Sequence, residues 1–166
     1  MAETNSNKTH PSKIDTSHGM CLPIAMRRVV LDSSVVVFAF RSRHGAANAV
    51  VALVASRRIV PLATPALFLE YEDVLKRPEQ RAVTGLSLAD MDGVLAALAA
   101  AIEPVDVRFA WRPQLSDPDD EMVLEAAVNG QADALVTHNL ADFASAAPRF
   151  GLLAISPADL LRRIRK

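Results

Sequence analysis

From Arg27 onward, short β-branched apolar runs alternate with longer stretches of helical periodicity, and this alternation most constrains the fold. "RVVLD" reads as a buried strand ending on an acid, "AANAVVALVAS" as a helix and "RIVPLAT" as a second strand. Thr64 and Pro65 then open the helix "PALFLEYEDVLKR", a cap followed by proline in the first helical position. "SLADMDGVLAALAAA" begins on Ser87 with Asp90 three residues later, a variant of the capping box. "IEPVDV" predicts a short edge strand, because Pro104 cannot donate into a ladder. An acid-rich helix follows from about Pro118 to Asn129, then the strands "DALVT" and "LLAIS", and a last helix, "SPADLLRRIRK", capped by Ser156. Strands alternating with helices predict an α/β protein, a single-domain α/β/α sandwich with a central parallel sheet of Rossmann-like type.

A chain of 166 residues suffices for one core, placed over residues 26–166. Residues 1–25 are mostly polar without a periodic apolar face, and are expected to be a disordered extension or leader. The net charge of -1 removes any global basic field, so nucleic-acid binding would need a local patch. Cys21 is the sole cysteine in this sequence, which excludes a disulfide within it and favours a reducing, cytoplasmic setting. No run approaches the roughly 20 apolar residues that span a bilayer, so no membrane partner is expected.

The acids are unevenly placed. "SDPDDEMVLEAA" puts Asp117, Asp119, Asp120 and Glu121 at one helix start, more than capping and the helix dipole require. At 100° per residue, Asp120 falls on the apolar stripe of Val123, Leu124, Ala127 and Val128. Asp119 lies on its flank, Asp117 is placed to cap, and Glu121 and Glu125 point to the solvent side. Asp32 ends the first strand, while Asn139 and Asp142 follow the "ALVT" strand. In a parallel sheet with right-handed crossovers these groups share the carboxyl rim, where α/β proteins bind ligands. Glu70 and Glu72 both flank the apolar face of their helix, and periodicity does not choose between them. An all-oxygen acidic rim suits a hard cation such as magnesium or manganese, and such ions act on phosphate esters.

The stretches "RVVLDSSVVV", "PALFLEYEDVLKRPE", "SDPDDEMVLEAAVNGQADALVTHNLADF" and "ISPADLL" resemble the PIN-domain ribonucleases, in particular the VapC-like toxins of bacterial toxin–antitoxin pairs. The resemblance implies a PIN-like sandwich and a ribonuclease dependent on Mg2+ or Mn2+. It implies catalytic acids at Asp32, Glu70, Asp120 and Asp142, with Asp32, Asp119, Asp120 and Asp142 as the metal set. Ser33, Thr137 and Asn139 support the pocket, and Arg41 and Arg43, read as lying just after the first strand, are candidate RNA contacts. An RNA substrate, a cognate antitoxin and a homodimer are the implied partners. Where relatives often read Asp-Thr-Asn or Asp-Thr-Ser, this chain has Ser33 and Ser34 after the acid.

Two other readings compete. A haloacid-dehalogenase-like phosphatase needs a second Asp two residues after the first, where Ser34 stands, and a downstream lysine, absent between Lys76 and Lys166. A non-catalytic RNA-binding or scaffold domain would use the acids only as caps and surface charge; hydrolysis of a labelled RNA separates it from a nuclease.

Overall fold

The computed structural model describes residues 27–110 and 112–164. The expected leader over residues 1–25 lies outside the described residues. Five strands, β1 (Arg28–Leu31), β2 (Val60–Ala63), β3 (Glu103–Pro104), β4 (Ala134–Val136) and β5 (Ala154–Ile155), form one sheet in the order β3-β2-β1-β4-β5. Every pairing is parallel. As the sequence predicts, proline-bearing β3 is an edge strand.

Eight α-helices surround the sheet: α1 (Ser33–Arg41), α2 (Ala46–Ala55), α3 (Pro65–Lys76), α4 (Pro78–Thr84), α5 (Leu88–Ala101), α6 (Glu121–Asn129), α7 (Leu140–Phe143) and α8 (Pro157–Ile164). The chain steps outward from β1 to β2 and β3, then returns across the sheet to β4 and β5. Right-handed crossovers therefore set α1 to α5 on one face and α6 and α7 on the other. The reversal falls between β1 and β4, the position that favours a ligand crevice at the carboxyl rim. Val29, Val30, Leu31, Leu135 and Val136 are buried on both faces, as a covered parallel sheet demands.

The predicted caps form. Thr64 Oγ1 accepts from Leu67 N at 3.2 Å, and Ser87 and Asp90 make a reciprocal capping box. Ser156 Oγ accepts from Asp159 N at 3.1 Å. Three helices have no counterpart in the sequence reading, the four-residue α7 among them. α1 is built from "SSVVVFAFR", whose valines carry no helical signal of their own, and starts because Asp32 caps it. α4 opens on Pro78 and ends at Gly85, whose φ of 69° is the left-handed geometry glycine adopts freely. Among the described residues no single helix is long and apolar enough to cross a membrane.

Candidate active site

β1 delivers Asp32 to the rim almost fully buried, its amide donating to Val136 O at 2.9 Å. Its carboxylate is saturated with donors. Oδ2 accepts from Thr137 Oγ1 at 2.5 Å and Ser34 Oγ at 2.7 Å. Oδ1 accepts from the Ser34 amide and Ser33 Oγ, both at 3.3 Å. Asp32 is thus both the cap of α1 and a rim acid, and Ser34, which the sequence reading does not place in the pocket, makes a closer hydroxyl contact than Ser33. A side-chain oxygen two residues past a capping acid is the signal that could have found it.

Thr137 is fully buried at the end of β4, and its Oγ1 also accepts from the Asn139 amide at 2.8 Å. Asn139 therefore takes part through its backbone, while its side chain is exposed and caps nothing. Asp142 sits exposed in the single turn of α7.

Asp120 ends a 3-10 turn, Pro118–Asp120, that precedes α6. Burial, then the nearby carboxylates of Asp32, Asp117, Asp142 and Asp119, push its pKa up to about 6. Glu70 on α3 is raised as well, first by partial burial; Arg77 opposes the shift, while Asp73, Asp119 and Asp32 reinforce it. Glu72 instead pairs with Lys76 at 2.7 Å, so the helix face left open by periodicity resolves to Glu70. Asp117 caps as expected, accepting from Asp119 N at 3.0 Å. Asp119 is exposed and faces the same cluster. The structure thus brings Asp32, Glu70, Asp119, Asp120 and Asp142 into one mutually repelling field. As the side chains stand, no three of the described acids or histidines are gathered closely enough to hold an ion.

Two expectations are corrected. Glu121 and Glu125 are not solvated; they are 3% and 8% exposed. Glu121 Oε1 accepts from the amides of Gln114 and Leu115 at 2.5 and 2.8 Å, and Glu125 takes both Arg112 nitrogens at 2.8 Å. Helical phase does set them off the stripe, but the 112–115 segment covers that side of α6 and takes both carboxylates out of solvent. Arg41 does not lie just after the first strand. It closes α1, seven residues beyond Ser34 and about 10 Å farther along the axis. There its Nε donates to Gln80 Oε1 at 2.8 Å. Arg43 is exposed in the turn between α1 and α2.

The sequence profile of the PIN domain family matches residues 28–141. No curated protein matches the chain. Among solved structures, DNA-bound VapBC from Salmonella typhimurium aligns with a TM-score of 0.54 at 17% identity, over 80% of this chain and 99% of that one. VapBC2 from Rickettsia felis, bound to a DNA fragment from their promoter, aligns with a TM-score of 0.51 at 14% identity, over 78% and 98%. The order β3-β2-β1-β4-β5, the acids converging on its rim and a profile match over most of the domain lead to one assignment: this chain belongs to the PIN domain family.

Proposed function

We propose that this chain is a divalent-metal-dependent ribonuclease and the toxin of a toxin–antitoxin pair. The observation that carries the reading is Asp120, held protonation-prone at about pH 6 by burial and four neighbouring carboxylates. A carboxylate left without donors among other carboxylates is stabilised by a cation. The donors are all oxygen and share one rim, which fits Mg2+ or Mn2+ and not a thiolate- or imidazole-seeking ion. Asp32, Asp120 and Asp142 would hold the ion, with Asp119 alternative to Asp120 and Glu70 completing the acidic wall. When bound, the ion would supply Lewis acidity toward a phosphodiester oxygen and lower the pKa of attacking water.

The chain's own residues do the rest. Ser34 and Thr137 fix the Asp32 carboxylate in one rotamer, so its placement costs no reorganisation during the reaction. Asn139, through its amide, holds Thr137 in turn. Glu70, outside that ligand set and with its pKa raised first by partial burial, is the wall acid free to exchange a proton. No side-chain nucleophile is required. Arg41 and Arg43 supply positive charge on a flank of a pocket that would itself repel RNA.

The toxin reading draws support from the two fold neighbours, both VapBC assemblies bound to DNA. A partner antitoxin, a homodimer and a cytoplasmic site of action belong to the same proposal. The test is cleavage of a labelled RNA by purified protein in Mg2+ or Mn2+, with and without EDTA, using Asp32→Asn to exclude contaminating nuclease. Equal cleavage in excess EDTA would overturn metal dependence; no cleavage under any condition would favour the non-catalytic reading.

A further inference from the structure

Ser34, Phe38 and Arg41 stand four and three residues apart and so form one stripe along α1, leading away from the acidic rim. At its near end Ser34 Oγ bonds the Asp32 carboxylate and accepts from the His138 amide at 3.5 Å. In its middle Phe38 is 45% exposed, although it lies on a helix that buries Val35, Val36 and Ala39. The Phe38 ring is flanked on two sides. The His138 imidazole lies 4.9 Å away, tilted by 58°, and the Arg41 guanidinium carbon stands 5.6 Å from its centroid. Gln80, from α4, braces that guanidinium. His138 directly follows Thr137, which bonds Asp32, so the aromatic pair adjoins the acid pocket.

An exposed aromatic ring framed by an imidazole and a cation is poorly explained by packing. It has the composition of a surface that stacks an unpaired base while its cation meets the backbone phosphate. The acids beside it repel phosphate, so a strand entering the pocket needs attraction from a flank, and Arg41 and exposed Arg43 provide it. We infer that Phe38, with His138 and Arg41 around it, is a stacking platform for a base of single-stranded RNA adjoining the cleavage pocket. This rests on the ribonuclease reading above.

The test is fluorescence anisotropy in the Asp32→Asn protein, which does not turn substrate over, with two probes of equal length: labelled oligoadenylate and the corresponding abasic strand. Phe38→Ala and Phe38→Leu should each weaken oligoadenylate binding about tenfold, and leave binding of the abasic strand unchanged. Phe38→Tyr should restore oligoadenylate binding. Leucine keeps the bulk and lacks the π face, so agreement between the two losses separates stacking from folding. Arg41→Ala should weaken both probes and flatten the salt dependence. Unchanged oligoadenylate binding by both Phe38 variants, or an equal loss on the abasic strand, overturns the inference. If that happens while the unsubstituted protein still cleaves RNA, the platform alone is wrong; if the unsubstituted protein neither binds nor cleaves RNA, the ribonuclease reading falls and the platform with it.

Discussion

Glu121 and Glu125 on one side of α6 each find donors: two backbone amides for the first, a forked guanidinium for the second. Asp120, one residue earlier, and Glu70 across the rim accept no hydrogen bond from any described residue, and the carboxylates around them raise their pKa values. The first set is buried and the second half-buried. The first set is satisfied and ties the 112–115 segment to the helix, which sets the entry into Asp117–Asp120. The second is left in mutual repulsion, a cost that a domain of ordinary stability bears only where another charge offsets it. Satisfaction separates the structural acids of α6 from the repelling acids of the rim, and Asp32, fully donated to yet set beside that cluster, stands between the two.

The sharpest break would come at the unsatisfied set. Asp120→Asn should lower RNA cleavage at least about a hundredfold, while the metal-free protein melts at the same temperature or higher. Full activity in that variant would shift the third acid to Asp119. The satisfied set should show the inverse pattern. Glu121→Ala strands two amides, one of them on buried Leu115, and should cost about 2–4 kcal/mol in urea unfolding. Arg112→Ala should cost about 1–2 kcal/mol, less than for a fully buried pair because Arg112 is half exposed. Losses below 0.5 kcal/mol in both, on the order of a neutral surface change, would make the distinction between the two sets empty.

Asp142 sharpens the comparison from within the unsatisfied set. It lies exposed in a short helix, so Asp142→Asn should reduce cleavage about tenfold, and less than Asp32→Asn. Equal losses in single-turnover assays would reverse that ranking.

The pH dependence is smaller. Asp120 has its folded-state pKa raised from 3.8 to about 6, so between these values the folded protein binds more protons than the unfolded one. Stability of the metal-free protein should therefore fall as pH rises from about 4 through 6, by about 1 kcal/mol after allowing for screening of a partly exposed group. Asp120→Asn should flatten that slope in melting curves recorded without metal. The smallest effect belongs to Asp117→Ala. Loss of the cap should cost about 0.5–1 kcal/mol, partly offset because Asp117 is also one of the charges raising Asp120.

The strands, the edge position of β3 and the capped helices were legible because each rests on local chemistry: β-branched runs, Ser or Thr before Pro, Pro104 at an edge. The rim positions of Asp32 and Asp120 were legible because a strand end and a helix start are both marked locally. Glu121 and Glu125 were not. What covers them is a segment six to thirteen residues upstream, and no periodicity in α6 records its presence. α1 was missed for a related reason: three consecutive valines favour a strand by propensity, and the capping carboxylate of Asp32 together with burial of Val35, Val36 and Ala39 overrides them. Phe38 and His138 meet across about a hundred residues of sequence, so their pairing had no local signature.

Tyr71, buried on α3, donates its hydroxyl to Leu31 O, the last carbonyl of β1. Burial and the Asp32 charge push its phenol pKa well up, so it keeps that proton. Leu31 precedes Asp32 in the chain, and Glu70 precedes Tyr71. The bond therefore spans the residues next to two of the rim acids and makes them the fixed jaw of a vice: if α3 shifts against the sheet, Asp32 and Glu70 travel together. The opposite jaw is a 3-10 turn and a four-residue helix, both short enough to yield. On the proposed function, adjustment to ions of different radius, or to the passage of a bulky strand, would fall to Asp119, Asp120 and Asp142. Drift accumulating elsewhere in the domain is kept out of the spacing between the two acids that the core holds.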